Sequence, residues 1–284
     1  MIESAKKEST VQEARKVIAE ADALLITAGA GMGVDSGLPD FRGVEGFWRA
    51  YPAIRDLGYR FEEMADPRWF DQDPTLAWAF YGHRYMLYRS TTPHAGFHRL
   101  LEVASQKAGG YFVFTSNVDG QFQKAGFDPD RITEIHGSIH HLQCSLPCSE
   151  TIRPAGDLQI TIDPATFRAT SALPRCPDCG AVMRPNILMF GDGAWISART
   201  DIQSHALQRW LDAREAQKHK IAILEFGAGK AIPTVRIFGE QIARRYDARL
   251  IRINPRECDV PQGAIGIAAG ALEAIEKMTG EPHA

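Results

Sequence analysis

The 284-residue chain predicts an α/β fold: a mostly parallel sheet with helices on both faces, a helical insertion and a small cysteine-bearing module. Three observations predict it. Short apolar runs of strand length alternate with stretches of helical periodicity, as βαβ units require. Two glycine clusters, Gly29-Ala30-Gly31 and Gly227-Ala228-Gly229, follow such runs directly, and so does the polar turn Ser116-Asn117-Val118-Asp119-Gly120. In parallel sheets those strand ends are where ligands bind. Four of the five cysteines also fall in two close pairs, Cys144 with Cys148 and Cys176 with Cys179.

Taken in order, Val11 to Ala21 places Val11, Ala14, Val17 and Ile18 at helical spacing among charges, the pattern of an amphipathic helix. Ala23 to Thr27 is a buried strand feeding the first glycine loop. The aromatic-rich stretch Val44 to Pro93 has helical spacing without a clear strand, and Pro93 to Val103 suggests a further helix. Tyr111 to Thr115 is the second strand and Ile132 to Ile135 a short third one, ahead of His136-Gly137. Residues 140 to 183 hold the cysteine pairs among Pro, Gly and polar residues, as a loop-rich module would. Three later apolar runs read as strands: Asn186 to Phe190, Ile221 to Phe226 and Leu250 to Ile253. Helical patterns lie between them at Ala206 to Leu211 and Pro233 to Tyr246.

Composition narrows the function classes. With 44% hydrophobic and 24% charged residues the chain is an ordinary globular protein, not a disordered or fibrous one. Thirty-two Lys and Arg against 35 Asp and Glu leave a net charge of -3, without the basic excess of a nucleic-acid binder. No apolar run approaches the roughly 18 residues that a membrane span needs. The start, Met1 to Thr10, lacks the apolar core of a secretory signal, so a cytoplasmic protein is expected. In a reducing cytoplasm paired cysteines point to metal rather than disulfide. Cys258 reads as an ordinary small residue.

The first glycine loop departs from the dinucleotide fingerprint G-x-G-x-x-G, because Val34 stands where the third glycine belongs and glycine occupies position 33. By itself it fits a turn made for tight packing as well as a pyrophosphate cradle. Its continuation is more specific. Gly29-Ala30-Gly31 leads without a gap to Gly37-Leu38-Pro39-Asp40-Phe41-Arg42-Gly43, which resembles the G-A-G and G-I-P-D-F-R-G signature of the sirtuin family. Gly46-Phe47-Trp48 is similar to its G-L-W, Thr115 to Gly120 to its T-Q-N-I-D-G, and Glu134 to Ser138 to its E-x-H-G-S. Arg184 to Asp192 resembles R-P-x-I-V-x-F-G-E, Gly227-Ala228-Gly229 sits where G-T-S normally follows a strand, and Ile253-Asn254 matches a late I-N. The motifs occur in family order over nearly the whole chain.

That resemblance implies one catalytic domain over 1–284, with a Rossmann-like NAD-binding part in 13–45, 91–139 and 184–279. It makes 46–90 a helical insertion and 140–183 a zinc-binding module. The implied reaction removes an acyl group from a protein lysine, consumes NAD, and leaves the acyl group on ADP-ribose. His136 is the implied general base, since imidazole titrates near neutrality, with Asn117 and Asp119 as the polar pair around the nicotinamide and its ribose. Read without the resemblance, His136 could cap a strand end, and Asn117 and Asp119 could simply form an Asx turn. The NAD set it implies is Gly29, Ala30, Gly31, Asp40, Phe41, Arg42, Ser116, Asn117, Asp119, Gly227, Ala228, Gly229 and Asn254. Acylated proteins or peptides would be the partners, with no nucleic acid and no membrane.

Zinc takes four thiolates in a tetrahedron, and two close pairs supply them. Cys176-Pro177-Asp178-Cys179 is a regular zinc knuckle, whereas Cys144 and Cys148 have three residues between them where sirtuins usually have two. With all four positions filled by Cys144, Cys148, Cys176 and Cys179, the metal would be structural. His140 and His141 are less suited as ligands. Tyr81 and Arg84 form the Y-x-x-R by which the desuccinylase class of sirtuins grips acidic acyl groups, and Ala65 aligns with the small residue that widens that pocket. At i, i+3 on an aromatic-rich helix the same two residues also suit plain packing. Ile187, Met189, Phe190 and Gly191 belong to the segment on which a substrate peptide would lie as an added strand.

Several family positions differ: Ser116 replaces Gln, Gln121-Phe122 replaces Leu-His, and Gly227-Ala228-Gly229 lacks the hydroxyls of G-T-S. These departures keep alternative readings open, an ADP-ribosyltransferase or an NAD hydrolase.

Overall fold

The structure, a computed structural model, describes residues 2–40, 54 and 58–280, with side chains from residue 8 onward. Helix α1 (Ile2–Glu20) leads into strand β1 (Ala23–Ala28) and a 3₁₀ turn over Ala30–Ser36. The insertion contributes α2 (Phe61–Met64), α3 (Trp69–Gln72) and α4 (Pro74–Ser90). Then come α5 (Ala95–Ser105), β2 (Tyr111–Thr115), α6 (Gln121–Lys124), β3 (Ile132–Glu134) and β4 (Gly137–Cys144). Three two-residue strands follow, β5 (Arg153–Pro154), β6 (Ile162–Asp163) and β7 (Arg168–Ala169), and then β8 (Met183–Ile187). The chain ends with α7 (Ala198–Ala216), β9 (Ile221–Phe226), α8 (Thr234–Arg245), β10 (Arg249–Ile253), β11 (Ile265–Ile267) and α9 (Ala271–Thr279).

Six strands form one sheet in the order β11-β10-β9-β1-β2-β3, and every pair in it is parallel. β1 shows why the sheet is covered on both sides. Leu24 and Ile26 pack with Ala14, Ile18, Leu100 and Ile275 of α1, α5 and α9, whereas Ala23 and Leu25 pack with Leu211, Val235 and Ile242 of α7 and α8. A strand buried on both faces must be apolar at every position, and each large aliphatic side chain so buried contributes about 1.5–3 kcal/mol. The expected parallel sheet with helices on both faces is therefore the observed one.

From β1 the chain winds outward through β2 and β3, then returns to the other side of β1 with β9. The order reverses between β1 and β9, and a crevice opens at the carboxyl end of such a switch point. Both glycine clusters lie there.

The run Asn186 to Phe190 behaves differently from the expected strand. The strand is Met183–Ile187, and it pairs antiparallel with β4 in a separate three-stranded sheet, not with the parallel one. Gly137 makes that pairing possible: its φ is 77°, and a Cβ there would stand 2.1 Å from the Asn186 carbonyl oxygen. β4 and the closing strand β11 both lie outside the apolar runs. β4 alternates polar and apolar residues, and β11 is only three residues long.

A second core joins the insertion to the cysteine module. Trp78, Phe80, Tyr81 and Tyr85 of α4 pack with Ile139, Leu142, Cys144, Cys176 and Met183. Trp78 donates its indole N–H to the Met183 carbonyl oxygen at 2.9 Å. Gly82 completes the contact, since a Cβ at that position would lie 2.7 Å from the Ile160 side chain.

Candidate active site

The two glycine loops meet back to back above the sheet. A Cβ on Gly29 would fall 2.8 Å from the Gly227 carbonyl oxygen, and one on Gly227, whose φ is 59°, would fall 2.4 Å from the Gly31 main chain. Side chains are excluded from this crossing, so bare main chain forms the floor of the crevice, as close approach to a pyrophosphate demands. Asn117 pins the crossing from β2 by donating its amide to the Gly29 carbonyl oxygen at 2.9 Å.

A cleft of about 540 Å³ runs from this floor. Gly29, Ala30, Gly227, Ala228 and Gly229 line one end, Ser116, Asn117, Asp119 and His136 the middle, and Tyr81, Arg84 and Tyr88 the far end. Asp40, Ala65, Ile187, Leu188, Met189 and Phe190 complete the wall. The structure thus gathers residues from β1, β2, β3, β8, β9 and α4 around one space. Gly31, Gly191 and Asn254 are not among its lining residues. Phe41 and Arg42 lie outside the described residues.

Asn254 is fully buried and faces inward. It donates its amide to the Ala228 carbonyl oxygen at 3.0 Å and accepts from the main-chain N–H groups of Arg256 and Glu257, both at 3.0 Å. Its work is to lock the loop after β10 onto the loop after β9. Glu257 strengthens that lock by accepting from the Lys230 N–H at 3.1 Å, and its carboxylate stands 3.3 Å from where a Gly229 Cβ would be. A serine at 229 would press on this carboxylate, which accounts for one lost hydroxyl of the usual G-T-S. Beneath the loops, Arg252 pairs with Glu225 inside the sheet and reaches Glu240 at 2.9 Å.

His136 follows β3 and is half-buried. Its carbonyl oxygen accepts from the Leu188 N–H at 3.0 Å, which ties it to the segment after β8. Burial holds the imidazole below its ordinary value, and a hydrogen bond to the Ser116 main chain works the other way. The ring is therefore neutral at neutral pH and able to take a proton. Asp119 accepts from the Gln121 N–H at 2.9 Å. Burial pushes its carboxyl up to about 6, against the opposing pull of that hydrogen bond and of Arg84.

The far end of the cleft is aromatic. Arg84 is 6% exposed, with its Cζ 5.3 to 5.9 Å from the ring centroids of Phe61, Phe80, Tyr81 and Tyr88. The Tyr81 hydroxyl is buried and has no hydrogen-bond partner among the described residues. Burial pushes its pKa up, so it stays a neutral donor. A buried hydroxyl left without a partner is costly unless a ligand supplies one.

Two features of this wall escape sequence reading. Arg184 and Asp192, both almost fully buried, form a bidentate pair at 2.6 and 2.8 Å. Asp192 also accepts from the Met189 N–H at 3.3 Å, which curls the segment that carries Leu188 to Phe190. Phe190 in turn donates its N–H to the Ala65 carbonyl oxygen at 2.9 Å, closing this segment against the insertion. Both residues stand in the quoted R-P-x-I-V-x-F-G-E match, but only the fold shows that they pair. Tyr88 is the other, signalled only by its i+4 spacing from Arg84.

The four cysteine sulfurs lie within 4.8 Å of one another. Cys144 Sγ is 3.5 Å from Cys179 Sγ, and Cys148 Sγ 3.6 Å from Cys176 Sγ, far beyond a disulfide bond. Zinc–sulfur bonds of about 2.3 Å in a tetrahedron separate the sulfurs by about 3.8 Å, so the donor set fits a zinc ion. The extra residue between Cys144 and Cys148 is absorbed in the turn between them.

The Sir2 family profile matches residues 29–208. The chain belongs to the Sir2 family. A relative from Thermococcus sibiricus, an NAD-dependent protein deacylase, is 27% identical over 273 residues, covering 94% of each chain. An NAD-dependent protein deacylase from Leptospira interrogans is 30% identical over 229 residues, covering 80% of this chain and 79% of its own. A solved structure of a mutant Sir2 homologue in complex with ADP-ribose is 25% identical, with a TM-score of 0.67 and 93% of both chains covered. In this Sir2-family chain the shared motifs converge on the switch-point cleft. No helix among the described residues is long and apolar enough to cross a membrane.

Proposed function

We propose that this protein is an NAD-dependent protein-lysine deacylase whose pocket takes short acyl groups ending in a carboxylate, such as succinyl or malonyl, as well as acetyl. One observation carries the reading. A single cleft joins the bare glycine crossing, the neutral imidazole of His136 and a buried arginine beside a partnerless tyrosine hydroxyl.

The main chain of Gly29, Ala30, Gly227, Ala228 and Gly229 would hold the pyrophosphate and adenosine side of NAD, and Ser116, Asn117 and Asp119 the nicotinamide riboside. NAD supplies a ribose carbon that becomes electrophilic as nicotinamide leaves, and hydroxyls that receive the acyl group. His136 accepts the proton of a ribose hydroxyl, which lets that oxygen attack the acyl carbon. Asp119, ionised above about pH 6, sets a negative charge beside the developing positive one. The aromatic walls around Arg84 keep water from the acyl group. Substrate peptide lies along Leu188 to Phe190. The N–H groups of these three residues are engaged internally, so the carbonyl oxygens are what the segment offers a peptide.

Cys144, Cys148, Cys176 and Cys179 hold one zinc ion in a structural role, and we read residues 1–284 as one catalytic unit. Reduced cysteines throughout agree with a cytoplasmic location.

The test is to incubate the protein with NAD and a panel of acetyl-, succinyl- and longer-acyl-lysine peptides, following peptide mass and O-acyl-ADP-ribose. Conversion of peptide with stoichiometric O-acyl-ADP-ribose is the expected result. Nicotinamide release without peptide conversion would replace this reading by an ADP-ribosyltransferase or NAD hydrolase. On succinyl peptide, Arg84→Met should cut kcat/KM by about 10–100-fold, the value of a charge-assisted contact of about 1.5–3 kcal/mol. An equal loss on acetyl peptide would show that Arg84 only packs.

A further inference from the structure

The helix that brings Tyr81 and Arg84 to the pocket carries a third polar side chain on the same face. Tyr88 stands one turn beyond Arg84, lines the same cleft and is 4% exposed. Its hydroxyl oxygen accepts two hydrogen bonds from Arg84, from Nε at 3.1 Å and from Nη2 at 2.9 Å.

The pattern matters because a guanidinium can grip a carboxylate on two different edges. One is the Nε/Nη2 side and the other the Nη1/Nη2 end. Tyr88 takes the first. We propose that Tyr88 is a positioning residue that sets the pocket's selectivity for carboxylate-ended acyl groups, holding Arg84 so that such a group is met by its Nη1/Nη2 end. The proposal rests on the acidic-acyl reading of this pocket.

Three physical points support it. An arginine side chain loses much rotamer freedom when it is ordered, so fixing it before substrate arrives removes part of the cost of binding. A phenol orients the guanidinium without neutralising it, whereas a carboxylate in the same place would cancel the charge that recognises the substrate. Burial raises the pKa of Tyr88, which keeps it a neutral hydroxyl. The rings of Phe61, Phe80 and Tyr81 close over the same guanidinium and limit its other orientations.

The experiment uses the full-length, zinc-loaded protein at saturating NAD with one peptide carrying either acetyl- or succinyl-lysine. Tyr88→Phe keeps the ring and removes the acceptor. Its succinyl-to-acetyl ratio of kcat/KM should fall about tenfold, which corresponds to about 1.4 kcal/mol, through the KM of the succinyl peptide. Tyr88→Gln, which restores an acceptor oxygen without the ring, should recover part of that ratio. A ratio unchanged in Tyr88→Phe, or equal losses on both peptides, overturns the role of Tyr88 and leaves the pocket reading standing. Wild-type protein that turns over acetyl but not succinyl peptide sinks the pocket reading, and the proposal with it. The complex of wild-type protein with succinyl-lysine peptide gives a check free of variants. Its carboxylate should lie on the Nη1/Nη2 end, and a carboxylate on the Nε/Nη2 side with Tyr88 displaced overturns the inference.

Discussion

Substituting alanine for His136 should lower deacylation by about 10²–10⁴-fold in kcat/KM, the range in which a positioned general base works. The loss falls on transfer of the acyl group, because that step needs a proton removed from a ribose hydroxyl. Release of nicotinamide requires no base and should survive in part, so the two products measured together separate the roles. Acid should act on the same machinery in a defined order. As pH falls, Asp119 gives up its charge first, near its raised value of about 6. His136 stays neutral to lower pH because burial has depressed it. The wild-type profile of kcat/KM should therefore fall on the acid side near pH 6, and Asp119→Asn should remove that step at the cost of a lower plateau. A wild-type rate that stays flat down to pH 5 would contradict the assignment, as would full deacylation by His136→Ala.

Metal removal should be the most damaging change to the fold. Stripping zinc with a chelator, or making Cys176→Ser, should take bound zinc from one per chain to none and bring deacylation to background. Structural zinc in small peptides binds with about 10–16 kcal/mol, and the whole stability of a domain is about 5–15 kcal/mol. Part of that zinc energy lost is enough to melt the module. The damage spreads because Cys144 and Cys176 share a core with Trp78, Phe80 and Tyr81 of α4, the helix that presents Arg84. Zinc content by mass spectrometry and a thermal melt read both effects. A zinc-free protein with unchanged melting and activity would refute the structural role.

Much of this site is legible in the sequence for a local reason. The glycine crossing, His136-Gly137 and the cysteine knuckles are constraints within a few residues, where only one or two residue types satisfy the geometry. Gly137 illustrates it: with a φ of 77° and a neighbouring carbonyl oxygen 2.1 Å from any Cβ, nothing but glycine fits. Asn254 shows the opposite. Its place in a late family motif points toward the cofactor, yet its side chain turns inward to join two loops that lie 26 residues apart.

The strand at Met183–Ile187 marks the same boundary. Hydrophobicity predicts that a strand lies near Asn186, but the register depends on hydrogen bonds with Gly137 to Cys144, some 40 residues earlier. Apolar runs by themselves determined the two-faced parallel sheet, because a strand covered on both sides tolerates nothing else. Residue spacing by itself determined the four sulfur ligands. Only the tertiary structure decided that Arg184 meets Asp192, that Tyr88 holds Arg84, and that the acyl end and the glycine end share one cleft. Those are contacts between side chains whose distance in space is set by packing rather than by chain separation.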